Sequence, residues 1–187
     1  VDIYTNTSET ADRISWGIGT GTGTIISENG DTLQYQFADT DNGIVTFIFT
    51  DTKAELINII AESGAVVNSS GNITVDHAGQ DRIMVYSGNN QRAVVDSPVP
   101  EALVARVVDE YGNPVDNSEV TFSVINGGGA IDADTLSGGI QTSALTGLEG
   151  LAYCQLWILG TTSGYNSDAV AAGIGSGTVR TVQFVAT

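Results

Sequence analysis

Hydrophobic and polar residues alternate along most of this 187-residue chain, in short runs that turn-forming residues separate. The clearest example is a Val-rich run at residues 103–108, which leads into the cluster DEYGNP at 109–114. A second run follows, in which Val120, Phe122 and Val124 alternate with polar residues. Alternation with a period of two is typical of half-buried strands. This stretch therefore predicts a strand, a turn and a strand.

The turn between these two runs is specified by the chemistry of its residues. Gly112 tolerates a positive φ, and Pro114 fixes its own φ and keeps Asn113 out of the helical region. Asp109 can accept hydrogen bonds from backbone amides two residues further on. We therefore expect these residues together to specify the turn.

The first half of the chain shows the same pattern. Its predicted strands lie at 14–18, 32–37, 45–49, 56–61 and 72–75. The run 56–61 has a brief helical look, but its length and its β-branched residues favour a strand. Residues 1–13 are polar and predict turns. With 23 Gly, three Pro and no long helix-period stretch, the chain is predicted to be all-β.

The segment DEYGNPVDNSEVTFSV resembles the D-x-x-GNPV-x-x-x-x-V-x-F signature of bacterial immunoglobulin-like domains of the invasin/intimin type. The resemblance continues in order through residues 127–129, 146–172 and 179–187, and part of the pattern recurs in the first half. It implies two tandem antiparallel immunoglobulin-like β-sandwiches, at 1–88 and 89–187. A short polar joint at 87–91 would link them into a semi-rigid rod.

Alternation also predicts which residues form the two cores. We expect Trp16, Leu33, Tyr35, Phe37, Phe47 and Ile59 in the first domain, and Val107, Val120, Phe122, Leu156 and Phe184 in the second.

The first domain is expected to lack its first strand. About 27 residues precede the strand at Val120 in the second domain, whereas 13 polar residues precede Ile14 in the first. A sandwich short of a strand exposes unpaired amides. Upstream sequence of a longer parent, or a strand donated by another subunit, would fill the gap.

Acidic residues outnumber basic ones by 22 to 6, which gives a formal net charge of −16. This charge argues against nucleic acid and anionic membranes as partners, because both require Lys/Arg patches. It favours a solvated surface or cation binding. The sequence DTDNG at 39–43 is similar to the start of an EF-hand loop, but the acidic residue at the loop's end and the flanking helices are missing. Asp39 and Asp41 are therefore weak calcium candidates, and Asn42-Gly43 predicts a hairpin turn.

Residues with catalytic potential are scarce. His77 is the single histidine and follows Asp76 in a polar turn, where a solvated side chain is expected. No His/Cys cluster has zinc spacing, and no P-loop motif occurs. Cys154 is the single cysteine and alternates with apolar residues, which predicts a buried small side chain. We expect neither an enzyme nor a cofactor.

Two kinds of surface feature remain as candidates for recognition. Tyr153 and Trp157 fall on the strand face opposite Cys154, where they would contact a partner or be covered by packing. Three N-x-[ST] motifs place potential glycosylation at Asn6, Asn68 and Asn72, if the source glycosylates exported proteins.

These features predict a non-catalytic extracellular or cell-surface structural module. It would be a spacer in a surface protein or a subunit of an extracellular filament, with neighbouring immunoglobulin-like domains or identical subunits as partners. No apolar run reaches the length of about 18 residues that a membrane span needs. The alternative is an adhesion module that binds a glycan or protein. In the family that the chain resembles, adhesin tips end in a lectin-like domain that usually has a disulfide, which one cysteine cannot form.

Overall fold

A computed structural model describes residues 1–6, 14–132, 139–175 and 180–187 of the chain. It divides into two compact units, Val1–His77 and Ala78–Thr187. Within the described ranges, every pairing between its strands is antiparallel, and the one helix is a short 3-10 helix at Asp39–Asp41. The predicted all-β fold class with antiparallel sheets is confirmed.

The described residues of the first unit form nine strands. They are β1 (Asp2–Thr5), β2 (Ile14–Thr20), β3 (Thr24–Asn29), β4 (Thr32–Gln36), β5 (Thr46–Asp51), β6 (Glu55–Ile57), β7 (Ile59–Ser63), β8 (Val66–Ser69) and β9 (Ile73–Val75). Five of them form a sheet in the order β3-β4-β1-β7-β8, while β2 pairs with β5 and β6 pairs with β9.

The core of the first unit lies between the five-stranded sheet and the β2–β5 pair. Its buried members are Ile3, Ile14, Trp16 and Leu33, with Phe47 and Phe49 of β5 packed against them. The Trp16 and Phe49 rings lie 5.0 Å apart, and the Trp16 indole donates a hydrogen bond to the Gly30 carbonyl at 3.0 Å. Among the described residues, this core is small.

The prediction that residues 1–13 form turns is wrong for the first six, because β1 is the central strand of the sheet. Its polar residues find partners on the neighbouring strands. Asp2 accepts a hydrogen bond from Gln34 at 2.7 Å, and the Tyr4 hydroxyl donates one to Glu62 at 3.1 Å. Because the missing-strand argument depended on a strandless segment before Ile14, β1 removes its basis. Strand donation stays a prediction.

Two other local predictions need correction. The run 56–61 is not one strand. β6 ends at Ile57 and β7 begins at Ile59, because the N–H and C=O of Asn58 form hydrogen bonds with Asn6. Asn42 and Gly43 form the expected turn, with φ values of 51° and 75°. The turn is not a hairpin, since β4 and β5 lie in different sheets.

The second unit contains the other nine strands. They are β10 (Arg82–Ser87), β11 (Leu103–Val108), β12 (Glu119–Asn126), β13 (Ala130–Ile131), β14 (Gln141–Leu145), β15 (Leu151–Cys154), β16 (Trp157–Ile158), β17 (Asp168–Ile174) and β18 (Arg180–Ala186). Because β10 pairs with β11, residues 82–87 belong to this unit. The structure therefore places the division after His77 and not at the predicted position after residue 88.

Two sheets form the sandwich of the second unit, one in the order β10-β11-β15 and one in the order β14-β12-β17-β18. Both contribute to one continuous core, which includes Val107 and Cys154 from the first sheet and Phe122 and Phe184 from the second. The two phenylalanine rings lie 6.3 Å apart. This core has 18 buried members, against four in the first unit.

Most of the predicted core residues are buried or packed against a core, but two are not placed as expected. Phe37 lies just after the end of β4 and is 41% exposed. Leu156 lies between β15 and β16, where the alternation breaks, and is only partly buried. In both cases the prediction continued the alternation of buried and exposed residues beyond the last residue of the strand.

The turn between β11 and β12 is organised by Asp109. The Asp109 side chain is fully buried, and its Oδ1 accepts hydrogen bonds from the Tyr111 and Asn113 amides at 3.0 and 2.8 Å. Its Oδ2 accepts from the Ala78 amide at 3.0 Å and from Asn113 Nδ2 at 2.8 Å. Gly112 supplies the positive φ, 93°. One carboxylate thus holds both the turn and the first residue of the unit.

We expect Phe122→Ala to destabilise the second unit by about 3–5 kcal/mol, because it empties a fully buried site in the core. Ile125→Ala is the matched control: the residue lies on the same strand, is 54% exposed and should cost below about 1 kcal/mol. Urea unfolding followed by tryptophan fluorescence measures both, since Trp157 lies in this core and Trp16 reports the first unit. Equal losses for the two variants would contradict the assigned core.

Candidate functional site

Asp41 is the buried centre of a hydrogen-bonded cluster in the first unit. Its carboxylate accepts bonds from the Thr22 amide at 2.6 Å, the Thr22 hydroxyl at 3.0 Å, the Ala38 amide at 2.9 Å and the Tyr35 hydroxyl at 3.0 Å. Gly23 N–H donates to the Tyr35 oxygen at 2.8 Å. The cluster ties the glycine-rich segment after β2 to the loop after β4.

The electrostatics of this cluster follow from its hydrogen bonds. Backbone bonds from Thr22 and Ala38 lower the pKa of Asp41 from 3.8 to about 2. Burial, followed by the bond to Asp41, raises the pKa of Tyr35. Both residues therefore keep their ordinary charge states at neutral pH, Asp41 ionised and Tyr35 neutral.

The cluster bears directly on the two calcium candidates. Both Asp41 oxygens already accept protein hydrogen bonds, while Asp39 is exposed at the start of the 3-10 helix. A cation at Asp41 would have to displace these donors. In the parts of the chain that the structure describes, no three His, Cys, Asp or Glu residues come together as a metal site. The arrangement suits a structural anchor.

Tyr153 and Trp157 do not share a face, contrary to the prediction. Tyr153 is 44% exposed, whereas Trp157 is 1% exposed and belongs to the core. The alternation shifts between β15 and β16, where the amide of Leu156 donates to Asp132 Oδ1 at 3.1 Å. Of the two candidate aromatics, only Tyr153 is available to a partner.

Cys154 is buried in the core, as predicted. Burial raises the pKa of its thiol to about 12, so the nucleophilic thiolate is scarce at neutral pH. Its sulfur lies 3.6 Å from the Leu156 carbonyl oxygen. The residue acts as a small core side chain.

The three candidate glycosylation sites lie on the surface of the first unit. Asn6, Asn68 and Asn72 are all exposed. Asn68 lies on the edge strand β8, and Asn72 lies between β8 and β9. Thr7 and Ser8, which complete the first motif, fall outside the described residues. Glycosylation at these sites stays a prediction.

A shallow cavity of about 530 Å³ lies over the outer face of the four-stranded sheet in the second unit. The side chains that line it are short and mostly polar, and Thr121, Ser123 and Thr181 lie around Ala171 and Gly173. Glu119 is the one titratable residue among those that line it. An acid–base pair, which hydrolytic chemistry requires, is therefore absent from this lining.

Arg106 is a candidate that the sequence reasoning missed. It lies on the middle strand β11 and is partly buried, and its Nε has no hydrogen-bond partner among the described residues. The signal was present in the sequence: Arg106 is the one charged residue in the Val-rich run at 103–108. A charged residue inside a predicted apolar strand indicates a site more strongly than the spacing of aromatic residues, which made Trp157 a candidate.

No helix in the described ranges is long and apolar enough to cross a membrane. No family model matches the sequence, and no curated protein matches it.

Three solved structures show weak similarity. A glycosyl hydrolase family 2 member from Bacteroides cellulosilyticus has 16% identity and a TM-score of 0.42, over 100% of this chain and 21% of that one. The Yersinia pseudotuberculosis adhesin InvE has 13% identity and a TM-score of 0.39, over 97% and 50%. Domains 4 and 5 of the S-layer protein SbsC have 14% identity and a TM-score of 0.39, over 97% and 73%. At such TM-scores these similarities support no functional assignment.

We expect Asp41→Asn to destabilise the first unit at neutral pH but much less in acid. The pKa of Asp41 is lower in the folded than in the unfolded chain, so its stabilising contribution is present above about pH 3.8 and is lost as the pH falls to about 2. The difference in unfolding free energy between wild type and variant should shrink as the pH falls from 3.8 to about 2. Urea unfolding followed by Trp16 fluorescence measures this difference. Asp39→Asn, which removes an exposed carboxylate nearby, is the control and should show no such gap. A gap for Asp41→Asn that is independent of pH would contradict this role.

Proposed function

We propose that this chain is a non-catalytic extracellular structural module, either a spacer in a cell-surface protein or a subunit of an extracellular filament. The observation that carries the proposal is the direct succession of two β units with separate cores. Only residues 76–81 separate the last strand of the first unit, β9, from the first strand of the second, β10.

The connecting segment is itself anchored. Its Ala78 amide donates to the buried Asp109 carboxylate, and its Asp81 contacts Arg180 of β18 at 2.5 Å and Arg82 at 3.5 Å. Tension that enters the second unit at this segment would therefore be passed to the β11–β12 turn and to β18. This suits a protein that transmits load along its backbone.

The surface chemistry agrees with this role. A net charge of −16 keeps a long extracellular protein soluble and repels anionic surfaces. Among the described residues, the buried carboxylates Asp41, Asp109 and Asp168 all accept backbone hydrogen bonds, and Cys154 packs in the core, so each has a structural role.

An adhesion module that binds a glycan or protein is the second candidate. The exposed ring of Tyr153 favours it, because aromatic residues are enriched in recognition surfaces. A glycan array and a pulldown with the isolated chain separate the two candidates. Reproducible binding to one defined ligand would contradict a role purely as a spacer.

Single-molecule force spectroscopy tests the structural role. We expect two unfolding events, one for each unit, with about 3.6 Å of added length for every residue released. Asp109→Ala should lower the unfolding force of the second unit only, because it releases the connecting segment from the turn. Glu110→Ala, at the exposed neighbouring position, is the matched control and should leave both forces unchanged. A wild-type chain that extends without force peaks would contradict the proposal.

A further inference from the structure

The outer face of the β10-β11-β15 sheet combines apolar side chains with one arginine. Core packing fixes which residues point inward, since Ile83, Val85, Ala105 and Cys154 all contact the core of the second unit. Because successive residues of a strand point to opposite faces, their neighbours point outward. The outward set, which we call the Arg106 face, comprises Met84, Val104, Arg106, Leu151 and Tyr153.

The strand register makes this face contiguous. Arg106 on the middle strand pairs with Met84 of β10 on one side and with Leu151 of β15 on the other. Tyr153 pairs with Val104, in the adjacent position along the sheet. Directly opposite residues have Cβ atoms about 4.5–5.5 Å apart. The aliphatic stem of Arg106 therefore lies between two apolar side chains, Met84 on one neighbouring strand and Leu151 on the other.

Several members of the face are accessible to a partner. Tyr153 is 44% and Met84 is 39% exposed, and Arg106 is partly exposed. Tyr86, the extra residue where the β10–β11 register shifts, is also exposed. Val104 is buried at 5%, so the exposed apolar part of the face consists of Met84 and Tyr153, on either side of Arg106.

Arg106 lacks the kind of partner that Arg82 and Arg180 have. Both of those side chains contact Asp81, whereas the Arg106 side chain forms no ion pair or hydrogen bond with the residues that the structure describes. Its Nε–H is buried and unsatisfied, although the chain carries 22 carboxylates. A buried donor without an acceptor is unfavourable. Nε itself is too buried for another molecule to reach, so an acceptor from a partner would meet the part of the Arg106 side chain that stays exposed.

We propose that the Arg106 face binds a protein segment that presents an Asp or Glu carboxylate beside an apolar side chain. The carboxylate pairs with the planar guanidinium of Arg106, whose fork of donors matches its two oxygens. The apolar side chain packs on Met84 and Tyr153. This inference goes beyond the structural role and does not depend on it.

Two observations favour a protein over other carboxylate or phosphate carriers. Tyr, Met and Arg are the residue types enriched in protein–protein interfaces, and the remaining members of the face, Val104 and Leu151, are aliphatic. The net charge of −16 disfavours a polyanion such as nucleic acid, while a single carboxylate needs only the local arginine.

NMR of the full chain tests the proposal with a defined probe. The probe is a capped tripeptide of phenylalanine, aspartate and glycine, titrated to about 10 mM because one ion pair gives weak binding. We expect it to shift the Met84 methyl, the Leu151 methyls and the Arg106 Nε–H together. The same peptide with asparagine in place of aspartate should bind about tenfold more weakly, which corresponds to about 1.4 kcal/mol.

Variants of the chain assign the binding to this face. Arg106→Gln removes the charge and should weaken binding of the aspartate peptide about tenfold. Arg92→Gln makes the same change in charge at an exposed position outside the sheet and should change binding less than about twofold. Tyr153→Ser removes the apolar contact at an exposed position, so it keeps the test valid if Arg106→Gln fails to fold.

Three outcomes would overturn the proposal. These are the absence of shifts with the aspartate peptide, equal binding of both peptides, and equal losses in Arg106→Gln and Arg92→Gln. Stronger binding of methyl glucuronide than of the aspartate peptide would also overturn it, because the ligand would then be an acidic sugar.

Discussion

The hydrogen bonds to the buried Asp109 carboxylate are the interaction on which the second unit depends. Four donors meet at this side chain, and they come from the β11–β12 turn and from Ala78, the first residue of the unit. Burial alone would raise the pKa of Asp109, but bonds from Asn113, Ala78 and Tyr111 outweigh it and lower the pKa. The carboxylate therefore stays ionised in the folded protein. This matters because a charged acceptor forms stronger hydrogen bonds than a neutral one.

A carboxylate plays a comparable part in the first unit, where the core is much smaller. Asp41 joins the segment before β3 to the loop after β4, just beyond the β3–β4 pair Thr24 and Gln36. Tyr35 adds its hydroxyl to the network, and its ring packs edge-on against Phe47 at 5.2 Å. Asp41 and Asp109 therefore differ from the exposed acidic residues of this chain, because their carboxylates hold the fold together through internal hydrogen bonds. Arg106 is the opposite case: its Nε has no acceptor among the described residues, although the chain is rich in carboxylates.

The sequence predicted well what local chemistry determines. The Asp109 turn, a turn at Asn42 and Gly43, and the buried Cys154 all follow from short-range rules, and the structure confirms them. It predicted poorly what distant partners determine. The strand at 2–5 looked too polar because its partners, Gln34 and Glu62, are far away in sequence.

The same reason explains the errors at the surface and at the division between units. Trp157 was misplaced because the break after Cys154 depends on Asp132, which lies 24 residues before Leu156. Residues 82–87 were assigned to the first domain because their pairing with β11 leaves no mark in their own sequence. Arg106 was visible in the sequence, but its lack of a partner could be known only once the neighbouring strands were in place.

Hydrogen exchange of Asp109→Asn tests the role of this carboxylate most directly. Asparagine keeps one acceptor oxygen for the Tyr111 and Asn113 amides but replaces the other with a donor, which cannot accept from Ala78 N–H. The account predicts that the Ala78 amide loses most of its protection, while those of Tyr111 and Asn113, and the Phe122 amide in the sandwich, stay protected. Unchanged protection at Ala78 would contradict the claim that Asp109 holds the start of the unit to the turn.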